Sequence, residues 1–584
     1  MSHSHATTVS AQVLSTRWAV GIAGFSSIVV ALVWLILPMG RFAGSGLLGT
    51  SVWAPDNLLN LSILEWGRKS LLGGHWNVFQ WPPGFPVPNS LAGTENLLGW
   101  QWLYMPFRAL GFTMVGAFNG SVIASFGVSG ASAALLARSF GVSGRGAVVA
   151  GVTFALSSVR LAQLAEFQTL SACWLPLDLF LLHRYLGTGR NSYLVGLAST
   201  VVITTLSSIY YGIYFVLIGA IWIMLQSIRA RRMLAFSSQR GLAIAALVVV
   251  TCMSPMAWVY VSFAHREGFR YPLTTYIDHS SSLIGFLHFP PWLALWQSST
   301  FARSDGTFPG FMLIVAVLVA MLHRRRNNAL PGMTLMILAF ICIVFALGPV
   351  LKIHDYPARG GRIWLPGKTL TLIPGLREPS RWLACALVFL APLVGWGVEC
   401  LTAGLGTRWR TGLATILTLA VIVENWPSQR ISTGSVRPPP PLSVSSAYRW
   451  LLDCHPRGAS VELPTSDLKG FRVGVMSEYV YGAVTHGQPV VSYYAAHWLP
   501  ELDSLQAAAE QLPSSDARAI LEKRGVMRVI LHGPLMSRSD YMSRSQRLRD
   551  AGYHVDFEGS DAIVFGWSTP VDSSASHGEC TAHP

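Results

Sequence analysis

Charge is what this chain has least of. Only 12% of its 584 residues are Asp, Glu, Lys or Arg, where a soluble globular chain carries about 25%. With 51% hydrophobic residues and a mean hydropathy of +0.44, that shortage excludes a soluble cytosolic enzyme, a disordered chain and a coiled coil. Cysteine is sparse, seven in all, with no CxxC and no Cys/His metal spacing. Cys173, Cys252, Cys342, Cys385 and Cys400 lie in apolar runs, and Cys454 and Cys580 lie in the polar C-terminal part, where an oxidising compartment could pair them. Nucleotide machinery is missing too. Gly361 to Thr369 spells G-x-x-x-x-x-G-K-T, one residue too long for a P-loop, and GVSGRG at 141–146 lacks the dinucleotide order. There is no HExxH and no GxSxG. A donor for group transfer must therefore come already attached to something in or on the membrane.

What is present is a series of apolar runs. They fall at 18–39, 112–137, 146–159, 167–182, 193–209, 212–228, 241–263, 309–322, 330–351, 382–403 and 411–424, and predict about eleven transmembrane helices. The first is too long for a signal-peptide core and reads as an uncleaved helix after a polar cytoplasmic tail, 1–17. The net charge of +14 sits largely in short turns that follow alternate runs, such as Arg138 and Arg145, Arg184 and Arg190, Arg229 to Arg240, Arg324 to Arg326, and Arg408 and Arg410. The positive-inside rule makes that side cytoplasmic and places the chain in the inner membrane. No aromatic-basic groove accompanies the charge, so nucleic acid is not an expected partner.

The long loops then fall on the outer face, at 40–111, 264–308 and 352–381. Past a Pro-rich linker at 425–443 the composition turns ordinary, and 444–584 predicts a small extracytoplasmic α/β domain, with strands at 459–464 and 526–533, helices at 500–512 and 515–524, and a hairpin at 553–567. Because acidic residues number only 28, carboxylates at the membrane edge are informative. Asp56 opens a stretch, 56–72, patterned as an amphipathic helix lying along the membrane surface. Glu95 follows a Pro-rich crossing, with His75 between them. Just before the tenth run, LIPGLREPSRW sets Arg377 and Arg381 four apart around Glu378, a pattern suited to phosphate oxygens or to plain interfacial anchoring. His486, Tyr493, Tyr494 and His497 fit either a sugar cleft or domain packing. Asp178 is the acidic exception inside the runs.

Asp56 after the first run, FPVPNSLAGTENLLG ending near Glu95, NSYLVGLASTVVITTLSSIYYGIY, IPGLREPSR, and YRWLLD…VELP leading to THGQPVV together resemble the bacterial GT-C superfamily of polyprenyl-phosphate-sugar glycosyltransferases. The resemblance implies a GT-C-like membrane domain over 18–424 and an active site on the outer face. It implies Asp56 and Glu95 as catalytic acids, and a substrate site including His75, Arg377, Glu378, Arg381 and His486. The donor it implies is a polyprenyl-phosphate sugar, and the acceptor an envelope glycan or lipid. In that superfamily the first-loop acid acts as base on the acceptor hydroxyl or helps position donor and metal. The usual adjacent acidic pair is replaced here by Asp56–Asn57, which leaves a divalent cation an open question and no other cofactor expected. Two other classes fit the same features, a transporter or flippase of lipid-linked glycans and a non-enzymatic envelope scaffold. A transporter would concentrate its ionisable groups at mid-membrane.

Overall fold

The computed structural model describes residues 2–42, 46–48, 54–162, 164, 166–230, 236–303, 306–323, 331–354, 363–373, 375–428, 445–466 and 472–567. The Pro-rich part of the linker (429–443), Arg324 to Arg326 and Cys580 lie outside them. Among the described residues, six helical stretches are long and apolar enough to cross a membrane: Ser15–Met39, Met114–Ser139, Gly144–Ala162, Ile209–Arg229, Ser237–Arg266 and Pro379–Thr402. Three shorter apolar helices, Asn191–Ser207, Phe311–Leu322 and Gly332–Ala346, accompany them. The chain is a multi-pass membrane protein. Leu247, Val250 and Trp258 on the Ser237–Arg266 stretch stand largely exposed, as lipid-facing side chains should.

Five of the eleven expected spans do not reach that standard: three form the shorter apolar helices, and the other two, 167–182 and 411–424, fall short for local reasons. The run 167–182 winds first as a 3-10 turn, Phe167–Trp174, and then as helix Leu175–Thr188, which carries His183 and Arg184 near its end. The run 411–424 sits in helix Thr407–Glu424, whose first turn holds Arg408 and Arg410. The first helix begins at Ser2, so the polar tail is helical as well.

The loop helix departs from its expected place. Helix Ala54–Leu72 is buried on nearly every side over 55–65, with Leu58, Leu61, Ile63, Leu64, Asn57 and Ser62 all under 5% exposed. A helix buried all round cannot lie on a membrane surface. It is wedged between helix Met114–Ser139 and helix Arg472–His486 of the C-terminal part. One apolar core, from Trp34 through Leu64 and Trp100 to Val484 and Leu531, runs through both parts.

The C-terminal part carries a four-stranded sheet of β1 (Ala459–Leu463), β2 (Val526–His532), β3 (His554–Glu558) and β4 (Ala562–Gly566) in the order β1-β2-β4-β3. β1 and β2 run parallel, which demands a long crossover. Helices Arg472–His486, Pro500–Glu510 and Ser515–Lys523 supply it. β3 and β4 form the antiparallel hairpin.

Candidate active site

Four interruptions of regular helix meet at one place. The first is the loop around Glu95, held between 3-10 turns Ser90–Gly93 and Leu98–Trp100 by left-handed residues Asn89 and Leu97. The second is Glu166, whose non-helical backbone (φ −110°, ψ 78°) precedes the 3-10 turn Phe167–Trp174. The third is Ser208, in extended backbone between helices Asn191–Ser207 and Ile209–Ala230. The fourth is the segment 375–381. There Pro379 keeps Glu378 out of helical backbone (φ −118°, ψ 80°) and starts the 3-10 turn that leads into helix Trp382–Thr402. Gly375, at φ +91°, makes the preceding turn.

Arg381 is the centre. Its Nη2 lies 2.7 Å from Glu378 Oε2 and 3.3 Å from Glu166 Oε2, and its Nη1 lies 3.6 Å from Glu95 Oε1. The guanidinium rests 4.1 Å from the centroid of the Tyr210 ring, a cation–π contact in a dry setting. Its side chain is 2% exposed. Glu95 Oε1 also accepts from Ser208 Oγ at 3.0 Å. Arg377 lies alongside, with Nε 3.4 Å from Glu378 Oε1, Nη1 donating to the Ala496 carbonyl at 3.1 Å, and the guanidinium 5.0 Å from the Tyr271 ring centroid.

Carboxylates outnumber the cations here, and their proton affinities show it. Burial pushes Glu95 up to about 7, against the pull of Arg381 and Ser208. Glu166 is raised by burial and by the charge of Glu378 beside it. Glu378 goes the other way, because Arg381 and Arg377 outweigh the cost of its burial. Glu378 is thus the ionised partner of the two guanidinium groups, and Glu166 the proton holder. Glu166 is enclosed by protein atoms yet keeps 41% of its side chain open, since it faces a cavity.

Asp56 comes from the first turn of helix Ala54–Leu72 and accepts a hydrogen bond from the Tyr494 hydroxyl. Burial raises its pKa, the Tyr494 bond lowers it, and the charges of Glu378 and Arg377 act on it in opposite directions. Asp56 is therefore within electrostatic reach of the Arg377–Glu378 pair. Tyr493, next in line, packs under the Glu95 loop. Its hydroxyl donates to the Ser90 carbonyl at 2.9 Å, and a Cβ on Gly93 would stand 2.0 Å from that oxygen.

The structure thus gathers Glu95, Glu378, Arg377 and Arg381 in direct contact, with Asp56 alongside. It adds Glu166 and Ser208, which sequence reasoning had not assigned to the site, and Tyr494, which it had left between a sugar cleft and domain packing. Glu166 carried a signal in retrospect, as a carboxylate at the very edge of an apolar run. Two residues stay outside the cluster. His75 is exposed in the turn after helix Ala54–Leu72. His486 is 1% exposed in the core of the C-terminal part, its ring 5.1 Å from that of Tyr448, with burial lowering its pKa to about 3. Among the described residues, no group of three or more His, Cys, Asp or Glu side chains is arranged to hold a metal ion. The carboxylates converge on Arg381, which fills the position a cation would take, so no metal step is derived.

No family model matches the chain, and no curated protein matches it. Solved structures do. The arabinofuranosyltransferase AftD from Mycobacteria, in a mutant form, overlaps 94% of this chain with a TM-score of 0.55 at 13% identity. The chain spans about two-fifths (41%) of the AftD chain. The archaeal oligosaccharyltransferase AglB from Archaeoglobus fulgidus overlaps 94% of this chain and 74% of its own, at 13% identity and a TM-score of 0.46. The likeness to AftD is one of fold.

Proposed function

We propose that the chain is a membrane glycosyltransferase. It moves a sugar from a polyprenyl-phosphate donor to an envelope glycan or lipid acceptor on the outer face of the cytoplasmic membrane. In this reading 1–17 is a cytoplasmic tail, 18–424 the catalytic membrane domain, 425–443 a linker, and 444–584 an extracytoplasmic domain. One observation carries the reading: a first-loop carboxylate, Asp56, lies within electrostatic reach of Arg377 and Glu378 from a distant segment, and those two join Arg381 where regular helix is interrupted.

The chemistry follows from the geometry. The acceptor hydroxyl attacks the anomeric carbon, and Asp56 takes its proton. The bond from that carbon to the phosphate oxygen breaks, and the lipid phosphate leaves with the electron pair, with inversion at the carbon. Arg377, 24% exposed where Arg381 is 2% exposed, meets the growing phosphate charge, and Arg381 holds Arg377's partner Glu378 in place. Tyr494 donates to Asp56 and fixes the orientation of the base. Glu95 anchors the loop to Ser208 and Arg381. The AftD overlap makes a pentofuranosyl donor the first to test.

The experiment is transfer by purified protein supplied with polyprenyl-phosphate sugars, read as lipid-phosphate release. Asp56→Asn should reduce release at least about 100-fold while the melting temperature stays near the native value. Full activity in that variant would sink the assignment.

A further inference from the structure

The helices that begin or end at the arginine cluster also have far ends. Helix Trp382–Thr402 starts beside Arg381, and its 21 residues span about 30 Å. The stretch Gly144–Ala162 runs antiparallel to it. Ser158 and Ala162 share a cavity wall with Ser380 and Leu383 at one end, and Arg145 and Gly146 share another with Glu399 and Thr402 at the opposite end. Near that second end the two backbones touch. A Cβ on Gly146 would stand 2.5 Å from the Gly395 carbonyl oxygen, and one on Gly395 would stand 2.7 Å from that of Gly146. Helix Thr407–Glu424 completes the group with Arg410 and Ala414.

A hollow of about 260 Å³ lies between these three helix ends, and its charged wall residues are Arg145, Glu399 and Arg410. Glu399 is already engaged, since its carboxylate accepts the Ser143 N–H at the start of helix Gly144–Ala155. The arginines are only partly engaged. Arg145 donates through Nε to the Thr411 hydroxyl at 2.9 Å, and Arg410 through Nε to the Leu405 carbonyl at 2.7 Å. Among the described residues the Nη atoms of both have no partner. Arg145 is half-buried and Arg410 exposed, so these donors are within reach of a ligand. Two guanidinium forks against one committed carboxylate suit a phosphate group.

The neighbouring surface says which phosphate. Trp409, next to Arg410, is 76% exposed, and Ile416, Leu419 and Val423 are 60%, 54% and 55% exposed. Their spacing places all four on one face of helix Thr407–Glu424. An apolar stripe therefore begins beside the arginines and continues along the helix. A soluble anion makes no use of such a stripe, whereas an acyl chain attached to the phosphate covers it.

We propose that this hollow is a headgroup site for an anionic phospholipid, with the phosphate between Arg145 and Arg410 and an acyl chain along the stripe from Trp409 to Val423. Basic pockets between membrane helices take headgroups of this kind. The site stands at the other end of the spans from Arg377 and Arg381, and it does not depend on the transferase reading.

The test is native mass spectrometry of the full chain in detergent, titrated with dioleoyl phosphatidylglycerol, dioleoyl phosphatidylcholine and inorganic phosphate. Phosphatidylglycerol should bind at least about fivefold more tightly than phosphatidylcholine. Arg145→Gln and Arg410→Gln should each weaken it about fivefold, and the double variant more than about twentyfold. Arg145→Lys, which keeps the charge, should retain most of the affinity. Arg190→Gln, at an exposed arginine between helices Leu175–Thr188 and Asn191–Ser207, should bind as the native chain does. If Arg145→Gln fails to fold, Arg410→Gln still decides, because its side chain holds only a loop carbonyl. Unchanged phosphatidylglycerol affinity in Arg410→Gln, an equal loss in Arg190→Gln, or equal affinity for phosphatidylcholine overturns the proposal. Displacement of the lipid by inorganic phosphate at equal concentration overturns it too, because the occupant would then be a soluble anion.

Discussion

Two buried ionic clusters in this protein use the same residue types and reach opposite states. In the first-loop helix, Glu65 is 2% exposed and sits among Arg68, Arg108 and Tyr104. Its Oε1 takes Arg68, and its Oε2 takes the Tyr104 hydroxyl at 2.8 Å and Arg108 Nε at 3.3 Å. Burial disfavours its charge, but Arg68, Tyr104 and Arg108 together hold its pKa below the ordinary value. That cluster sets one carboxylate against two guanidinium groups and leaves one polar atom, Arg108 Nε, without a hydrogen-bond partner among the described residues. In the site, Arg381 and Arg377 face Glu95, Glu166, Glu378 and Asp56, and Glu95 Oε2, Arg381 Nε and Arg381 Nη1 have no hydrogen-bond partner among the described residues. In the first cluster the cations outnumber the carboxylate. A group with carboxylates in excess, unmet atoms and an adjoining hollow is poised for a ligand.

Substitutions test that contrast most sharply at its centre. Arg381→Ala should cut lipid-phosphate release by about 100- to 1,000-fold, the scale of losing a preorganised charge, and should also lower the melting temperature, because three carboxylates lose a shared cation. Glu65→Gln should do only the second. It strands Arg68 and Arg108, and breaking a buried ion group costs about 3–5 kcal/mol, while kcat/KM of the folded fraction stays near native. If Glu65→Gln reduced kcat/KM as much as Arg381→Ala, the distinction between the clusters would fail.

Tyr494→Phe should lower kcat by about tenfold, as expected for a group that orients a general base. It should also move the acidic limb of the pH–rate profile upward, because the lost hydrogen bond had been lowering the pKa of Asp56. A smaller effect concerns stability against pH. The pKa of Glu95 is raised from 4.5 to about 7, so the folded state holds that proton more tightly than the unfolded chain. Stability is therefore lost as pH rises from about 4.5 through 7. Melting temperatures of Glu95→Gln should show a flatter profile over that window, and an identical slope would show that Glu95 titrates normally.

The apolar runs and the C-terminal strand pattern were legible in the sequence because both rest on periodicity over many residues. So was the meeting of Asp56, Glu95 and the 377–381 segment, through scarcity of charge and the family resemblance. Helix Ala54–Leu72 was misplaced because its pattern describes one amphipathic face, whereas its polar face, with Asn57, Asn60 and Ser62, is covered by protein rather than headgroups. Glu166 was hidden because an apolar run read as a span conceals the break at its start. His486 illustrates the converse, a polar residue beside aromatics that serves packing in the C-terminal core.

Lys69 fastens the two halves together, its ammonium donating to the Val484 and Thr485 carbonyls at 2.7 and 3.0 Å, and the hydroxyl that steadies Asp56 belongs to residue 494. Because residues 484, 485 and 494 follow every apolar helix in the chain, the surroundings of Asp56 and Lys69 are complete only once that later segment has folded back against the first loop.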